Sequence, residues 1–456
     1  MKLSSIRKLY FLGIGGIGMS AIARYFLDEG VEIFGYDIAE TNLTKKLVEE
    51  GMDIHYDVDI DKIPDDVDAV IMTPAIPDHN AELVEVRAIG YPLYKRAEIL
   101  GLLSKTKTTI AVAGTHGKTT TSSIIAHILK YCGLDITAFL GGILTEQQSN
   151  FIKGQSDIVV LEADEYDKSF LHVYPNILTI LSMDADHLDI YGNVENMYAT
   201  YEQLCNQIQS GGTLIIDGKW IKCFSDSFTD DMKAIDVIII DTSKDFGCSN
   251  VRVEDERYVF DYSDNEGEIK DIVSQLPGSH NISNTSVAIK IAKYFSNDAE
   301  VIRSGVKNFK GIRRRFEWIY DEEKVLVDDY AHHPEELKYA VSTINKLYPE
   351  KTILAIFQPH LYSRTKDFYV GFAEELGKVE NVILMPIYPA REEPMIGIQS
   401  EIIYNLIPIE NKWIVNSGVE MLKQIEKIDA DVIMTIGAAD LDKYHSDIIE
   451  ILKLKK

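Results

Sequence analysis

The stretch AVAGTHGKTTT, Ala111–Thr121, combines the residue types that hold a nucleoside triphosphate. Glycines let backbone N–H groups turn toward phosphate oxygens, Lys118 can reach the β- and γ-phosphates, and a hydroxyl on Thr119 or Thr120 suits Mg²⁺. Gly114, Thr115, His116 and Gly117 complete the cradle, at the mouth of a helix whose N-terminus favours anions. The common pattern G-x-x-x-x-G-K-[ST] is not met in full, because Val112 stands at its first glycine. An apolar run precedes the loop and a helical run follows it, so a chance glycine–lysine–threonine turn explains the stretch poorly.

Two acidic clusters lie downstream. LEADEYD (Leu161–Asp167) carries Glu162, and carboxylates there can bind Mg²⁺ beside a γ-phosphate, a role suited to hard oxygen ligands. MDADHLDIYG (Met183–Gly192) carries His187 between acids, a candidate ligand for a second metal. Either cluster alone reads as a hydrogen-bonded turn; together, after a phosphate loop, they point to a metal–nucleotide centre. A second glycine turn, GIGGIG, contains Gly13, Gly15, Gly16, Ile17 and Gly18, with Asp37 nineteen residues after Gly18. It matches G-x-G-x-x-G, for which NAD with Asp37 on the ribose is the simplest reading. The glycines serve close backbone approach to a diphosphate, so the pattern does not separate a dinucleotide from another diphosphate.

These residues need a scaffold that brings strand ends together. Leu9–Leu12 reads as an apolar strand, Met19–Asp28 as a helix, and Val31–Tyr36 and Ala69–Met72 as strands, with the acid-studded 57–68 as solvated surface. Thr109–Ala113 opens a second block, with a helix to about Tyr131 and strands at Ile158–Leu161 and Ile177–Leu181 that end in acids or histidine. Ligands of open α/β sheets bind at such carboxyl ends. Lys219–Gln275 reads as short alternating strands, a small antiparallel addition. A third block has strands at Val325–Val327, Thr352–Phe357, Val382–Met385 and Val432–Ile436. At about 150 residues per domain, 456 residues suggest three. The expected fold class is α/β in three domains: 1–105, Rossmann-like; 106–312, with a mainly parallel sheet around the phosphate loop; and 313–456, Rossmann-like again.

Composition narrows the function. A formal net charge of −26 excludes a general nucleic-acid binder, which needs a basic face. Four scattered cysteines without C-x-x-C spacing read as free thiols in a reducing compartment. Lys2, Arg7 and Lys8 before an apolar run outline a signal peptide, but Gly13, Gly15, Gly16 and Gly18 fit a strand–turn–helix better. No stretch is long and apolar enough for a membrane span. A cytoplasmic enzyme is expected, its oligomeric state open between monomer and dimer.

Further motifs follow in order: PGSHNISN (Pro277–Asn284), FKGIRRRF (Phe309–Phe316), DDYAHHP (Asp328–Pro334) and QPHLYSRT (Gln358–Thr365). Taken singly, Arg313–Arg315 reads as a solvated turn, and His332, His333 and His360 as structural. With GIGGIGMS, AGTHGKTTT, EADE and DADH, these segments resemble the Mur ligase family of peptidoglycan synthesis, from Gly13 to Asp440. The resemblance implies a three-domain ATP-dependent carboxylate–amine ligase using Mg²⁺. Its first domain would hold the uridine diphosphate of a sugar nucleotide, not NAD, through the Gly13–Gly18 turn and Asp37. The implied reaction transfers the γ-phosphate of ATP to the lactyl carboxylate of UDP-N-acetylmuramate, and the amine of L-alanine then displaces phosphate.

By that resemblance Thr119, Glu162 and His187 serve the metals. Asn281, Asn284, Arg315 and Asp329 contact the nucleotide or complete the closed site, and His333 and Arg364 lie near the amino acid. Lys118, His187, His333 and Arg364 form the expected catalytic group. Three positions depart from the family. Leu361 stands where relatives commonly carry arginine, which shifts weight to Arg364. GAGD appears as Gly437-Ala438-Ala439-Asp440. No lysine lies between Lys168 and Lys219 to supply the carboxylated lysine of some sister ligases. The nearest rival is a recycling ligase that adds a tripeptide to the same sugar nucleotide, though it typically has EPRSNT where this chain has QPHLYSRT. An NAD-dependent oxidoreductase leaves the Gly114 loop unexplained.

Overall fold

In the computed structural model, residues 3–225, 228, 235–240, 247–390 and 392–455 are described, apart from the side chains of Ser4 and Asp189. Lys2 of the signal-peptide outline, and 226–227, 229–234 and 241–246 of the expected antiparallel addition, lie outside them.

The first five strands are Lys8–Leu12 (β1), Glu32–Tyr36 (β2), Asp53–His55 (β3), Ala69–Met72 (β4) and Leu93–Lys95 (β5). They form one parallel sheet in the order β3-β2-β1-β4-β5. Successive side chains leave a strand on opposite faces. Thus Leu9 and Phe11 enter one core while Tyr10 and Leu12 enter another. A sheet covered on both faces needs apolar residues at every position, which is why β1 and β4 read as unbroken apolar runs. The strand order reverses between β1 and β4, so the Gly13–Gly16 turn sits at the switch point where ligands bind. The helix Ile17–Asp28 follows and buries Met19, Ala21, Ile22, Ala23 and Phe26.

The central strands are Thr108–Ala113 (β6), Thr137–Leu144 (β7), Ser149–Ile152 (β8), Ile158–Glu162 (β9), Ile177–Ile180 (β10), Thr213–Asp217 (β11) and Asp236–Ile240 (β12). Their order is β12-β11-β10-β6-β9-β7-β8, and the β7–β8 hairpin is its one antiparallel pairing. The loop after β6 therefore emerges between the ends of β9 and β10, the strands that carry the two acidic clusters. The expected antiparallel addition is corrected in part. Asp236–Ile240 pairs in parallel with β11 and extends the central sheet. Gly247–Glu254 (β13), Arg257–Asp264 (β14) and Gly267–Ser274 (β15) form a separate small sheet, joined by two-residue turns.

One continuous core serves both large sheets, running from Phe11 and Ile71 through Ile99 and Leu103 to Ala111, Leu161, Ile180 and Leu214. Polar ties reinforce it. Arg24 on the first helix bonds Glu50 through Nε at 2.7 Å and also reaches Asn150 in β8, whose amide donates to Ser20 at 3.1 Å and to the Ile17 carbonyl. These elements belong to one compact unit, the chain up to Ser249 with Asp261–Ile272 and Ser283–Phe309.

The second unit comprises Asn250–Phe260, Val273–Ile282 and the chain from Lys310 onward. Its sheet contains Glu317–Asp321 (β16), Val325–Asp329 (β17), Ile353–Phe357 (β18), Asn381–Leu384 (β19), Lys412–Ile414 (β20) and Val432–Ile436 (β21). The order is β16-β17-β21-β18-β19-β20, parallel except for the β16–β17 hairpin. Leu326, Leu354, Ile356, Ile383 and Ile433 centre its core. Among the described residues no helix is long and apolar enough to cross a membrane.

Candidate active site

Every residue of β6 from Thr109 to Ala113 is buried, and the chain then turns through Gly114 (φ 129°) and Gly117 (φ 82°) into the helix Lys118–Tyr131. Neither glycine admits a side chain. A Cβ on Gly114 would lie 2.8 Å from the Ser182 nitrogen, and one on Gly117 would lie 2.8 Å from Asn284 Oδ1. Val112, where the common pattern has glycine, is inside β6 and pairs with Glu162 and Thr179. The turn begins two residues later, so that position asks for an apolar strand residue.

Lys118 Nζ donates to the Gly114 carbonyl at 2.7 Å and to Glu165 Oε1 at 2.8 Å. Burial works against its charge, but the carboxylates of Glu165, Glu162 and Asp164 outweigh that and hold its pKa above the ordinary lysine value. Thr119 Oγ1 donates to Glu162 Oε2 at 2.9 Å, which sets a hydroxyl and a carboxylate side by side. Thr120 is buried next to it. Glu162 itself rests against Gly141 in β7, where a Cβ would come within 2.1 Å of Oε2.

The segment after β10 closes the other side of the loop. Ser182 Oγ accepts the His116 N–H at 2.9 Å, and Thr115 Oγ1 donates to the Asp184 carbonyl at 2.9 Å. His187 adopts φ 50° at the start of a short helix, with its ring edge-on to Tyr166 at 5.3 Å. The loop, Glu162, Asn284 and the segment carrying His187 thus converge. Among the described residues no three His, Cys, Asp or Glu side chains form a ready-made metal cage. Mg²⁺ typically binds through one or two carboxylates, water and substrate phosphates, and the Thr119–Glu162 oxygens suit that manner of binding.

A cavity of about 280 Å³ lies between the first glycine-rich turn and the carboxylates after β9; its walls include Gly16, Gly18, Arg96, Gly141, Glu162 and Asp164. On the first turn, Asp37 Oδ2 accepts the Gly15 N–H at 2.7 Å, so its carboxylate braces the turn. Gly16 precedes the helix Ile17–Asp28 without any side chain capping the first turn. Arg96 and Gly141 are site residues outside every motif, while Asp164 and Glu165 lie in the acidic motif after β9 without a role of their own in the sequence reading. Arg96 did carry a signal, as a cation at the carboxyl end of a strand, in Lys95-Arg96-Ala97-Glu98.

The second unit gathers the remaining candidates. Asp329, at the end of β17, accepts N–H bonds from Phe316 and Ala331, both at 2.8 Å. Burial pushes its pKa up to about 6, against the pull of Arg315 and these two bonds. Arg315 lies over the Tyr330 ring at 5.3 Å. Its neighbour Arg314 is structural, bonding Asp328 at 3.0 Å and the Gly437 and Ala439 carbonyls at 2.6 Å each. That gives the Gly437–Asp440 loop a role as backbone anchor. His333 caps the helix Pro334–Leu347 by accepting the Glu335 N–H at 3.3 Å. Arg364 Nη1 is 3.3 Å from His360 Nδ1, and Leu361 adopts φ 70° where the helix Tyr362–Leu376 begins. Asn281 falls in this unit, its amide donating to the Pro277 carbonyl at 2.7 Å.

The raised pKa of Asp329 gives a pH prediction. The folded state favours its protonated form, so this contribution is full below the unfolded value near 4 and is lost as pH rises through about 6. Between pH 7.5 and 5 the wild type should therefore gain up to about 1 kcal/mol of stability relative to Asp329→Asn. Urea unfolding at several pH values measures this; a difference that stays flat or shrinks toward acid sinks it.

A phosphate loop, a hydroxyl–carboxylate pair beside it and a second glycine turn that shares a cavity with that carboxylate define the class: an ATP-dependent ligase built on parallel α/β sheets. Residues 8–108 match the Mur ligase family catalytic domain, 112–292 the Mur ligase middle domain, and 314–439 the Mur ligase glutamate ligase domain. A UDP-N-acetylmuramate–L-alanine ligase of Flavobacterium psychrophilum is 42% identical over 447 residues, 97% of this chain and 97% of the relative. The crystal structure of a UDP-N-acetylmuramate–alanine ligase from Thermotoga maritima matches with a TM-score of 0.81 at 26% identity, covering 98% of this chain and 100% of that one. A murein peptide ligase from Psychrobacter arcticus shares the fold, with a TM-score of 0.69 at 21% identity and 98% of each chain covered. The chain belongs to the Mur ligase family.

Proposed function

We propose that this protein joins L-alanine to the lactyl carboxylate of UDP-N-acetylmuramate at the cost of one ATP, a step of peptidoglycan precursor synthesis in the cytoplasm. The observation that carries this reading is the cavity shared by the Gly13–Gly18 turn and Glu162, together with full-length similarity to an alanine-adding relative. Sugar nucleotide bound on the turn would extend toward the phosphate loop, where its carboxylate meets the γ-phosphate.

A carboxylate is a poor electrophile, and phosphorylation equips it with a good leaving group. A carboxylate oxygen attacks the γ-phosphorus, the bond to the β-phosphate oxygen breaks, and ADP departs. The alanine amine then attacks the acyl carbon, phosphate leaves, and the amine loses a proton. Lys118 neutralises charge on the transferring phosphoryl oxygens, and the loop amides orient the triphosphate. Thr119, Glu162 and His187 would hold Mg²⁺, whose positive charge offsets that of two anions brought together. Asn284, packed against Gly117, would contact the nucleotide at the loop. Asn281, Arg315 and Asp329 would complete the nucleotide site, and His333 and Arg364 would flank the amino acid.

The rival is tripeptide addition to the same sugar nucleotide. QPHLYSRT and the full-length alanine-adding relative favour alanine. ATP consumption with UDP-N-acetylmuramate, measured across a panel of amino acids and the tripeptide, should be fastest with L-alanine. Faster turnover with the tripeptide overturns this reading.

A further inference from the structure

Arg96 opens the helix Arg96–Ser104 immediately after β5 and extends across the first turn of the helix Ile17–Asp28. A Cβ on Gly18 would lie 2.8 Å from both Cδ and Nη1 of Arg96. In a dinucleotide fingerprint the last glycine serves close helix–strand packing; here it clears a berth for a guanidinium. Nη2 of the same group bonds Asp164 Oδ2 at 3.0 Å. Arg96 is the only cation among the described residues lining the 280 Å³ cavity, whose wall also carries the carboxylates of Glu162 and Asp164.

That wall poses an electrostatic problem for an anionic substrate. A diphosphate carries about two negative charges, and backbone amides at a helix N-terminus supply only about half a positive charge. A guanidinium over the same turn adds a full charge and a planar fork that matches phosphate oxygens. We infer that Arg96 grips the diphosphate of the sugar nucleotide, and that Asp164 holds it in place until the diphosphate displaces the carboxylate. This rests on the sugar-nucleotide reading of the Gly13–Gly18 turn and adds to it a specific cation and a resting partner. Asp164 also sits beside the phosphoryl site, near enough to contribute to the field at Lys118. Occupancy of the diphosphate site therefore frees a carboxylate next to the loop that must accept ATP.

Calorimetric titration of the full-length protein with UDP, and separately with ATP, tests this. Arg96→Ala should weaken UDP binding at least about tenfold while ATP binding is retained, which also shows that the variant is folded. Arg96→Lys should recover part of the loss, because it restores charge without the fork. Asp164→Asn should tighten UDP binding, since the competing carboxylate is gone. Unchanged UDP affinity in Arg96→Ala overturns the assignment. A loss seen with UDP-N-acetylmuramate but not with UDP also overturns it, since the partner would then be the lactyl carboxylate. Weaker UDP binding in Asp164→Asn overturns the resting-partner role. If the wild type binds ATP but no UDP, the sugar-nucleotide reading itself fails, and the Arg96 assignment with it.

Discussion

Lys118→Ala is expected to lower ATP-dependent phosphate release by about a thousandfold or more while UDP-N-acetylmuramate affinity stays within about twofold. The ammonium lies at the loop, not among the residues lining the cavity under the first glycine turn, so it should matter to one substrate and not the other. Its removal also has a structural effect. Glu165 is 4% exposed and would lose its ion-pair partner. Breaking a buried pair from one side costs about 3–5 kcal/mol, so the single variant should melt early. Lys118→Ala combined with Glu165→Gln removes the orphaned charge and should recover much of that stability without recovering turnover. The pair of variants separates lost chemistry from lost folding. Wild-type turnover in either one means that phosphoryl transfer happens elsewhere.

Gly141→Ala should also lower the rate strongly, from a position that touches no nucleotide in the proposed arrangement. Its new methyl carbon would lie 2.1 Å from Glu162 Oε2 and 2.7 Å from Cδ. The carboxylate sits at the end of a flexible side chain, so it would swing away by more than an ångström while the sheet stays intact. That parts Glu162 from Thr119, now 2.9 Å away. A misplacement of about 1 Å can cost about a hundredfold in rate. The Mg²⁺ concentration for half-maximal activity should rise by about tenfold or more, with little change in melting temperature. Unaltered Mg²⁺ dependence at full rate removes Glu162 from the metal site.

The two predictions differ in how far they were readable from the chain. Lys118, Thr119 and Glu162 were legible because each sits in a contiguous motif directly after an apolar strand. β1, β4, β6, β10 and β21 were legible for the same reason: a strand covered on both faces has to be apolar throughout. The three-residue strands β3, β5 and β20 are too short to show any period. The β7–β8 hairpin was hidden by Gly141-Gly142, which reads as a break and instead makes room for Glu162. Asp236–Ile240 was misassigned because strand order is set by tertiary pairing, which local alternation does not encode.

At the site, the residues that escaped are those delivered from afar. Arg96 meets Asp164 across 68 positions of sequence, and Asn150 meets Ser20 across 130. Asp37 was expected on a ribose; its bond to the Gly15 N–H shows it bracing the turn. His333 was expected near the amino acid, and its ring nitrogen accepts a bond from the backbone N–H of Glu335. In both cases the hydrogen bond adds a local structural role that the motif does not show.

The core shared by the first two sheets bears on how the protein can be taken apart. Gly101 lies so close to the next sheet's connections that a Cβ would be 2.4 Å from the His172 carbonyl, and Ser104 Oγ accepts the Tyr174 N–H at 3.0 Å. A fragment ending near residue 105 would bare Ile99, Leu100 and Leu103, all now buried. The N-terminal portion is therefore a poor candidate for expression on its own, and a shuffled chimera that exchanges it alone would inherit a mismatched seam. Recombination between relatives should succeed when the crossover moves both sheets together.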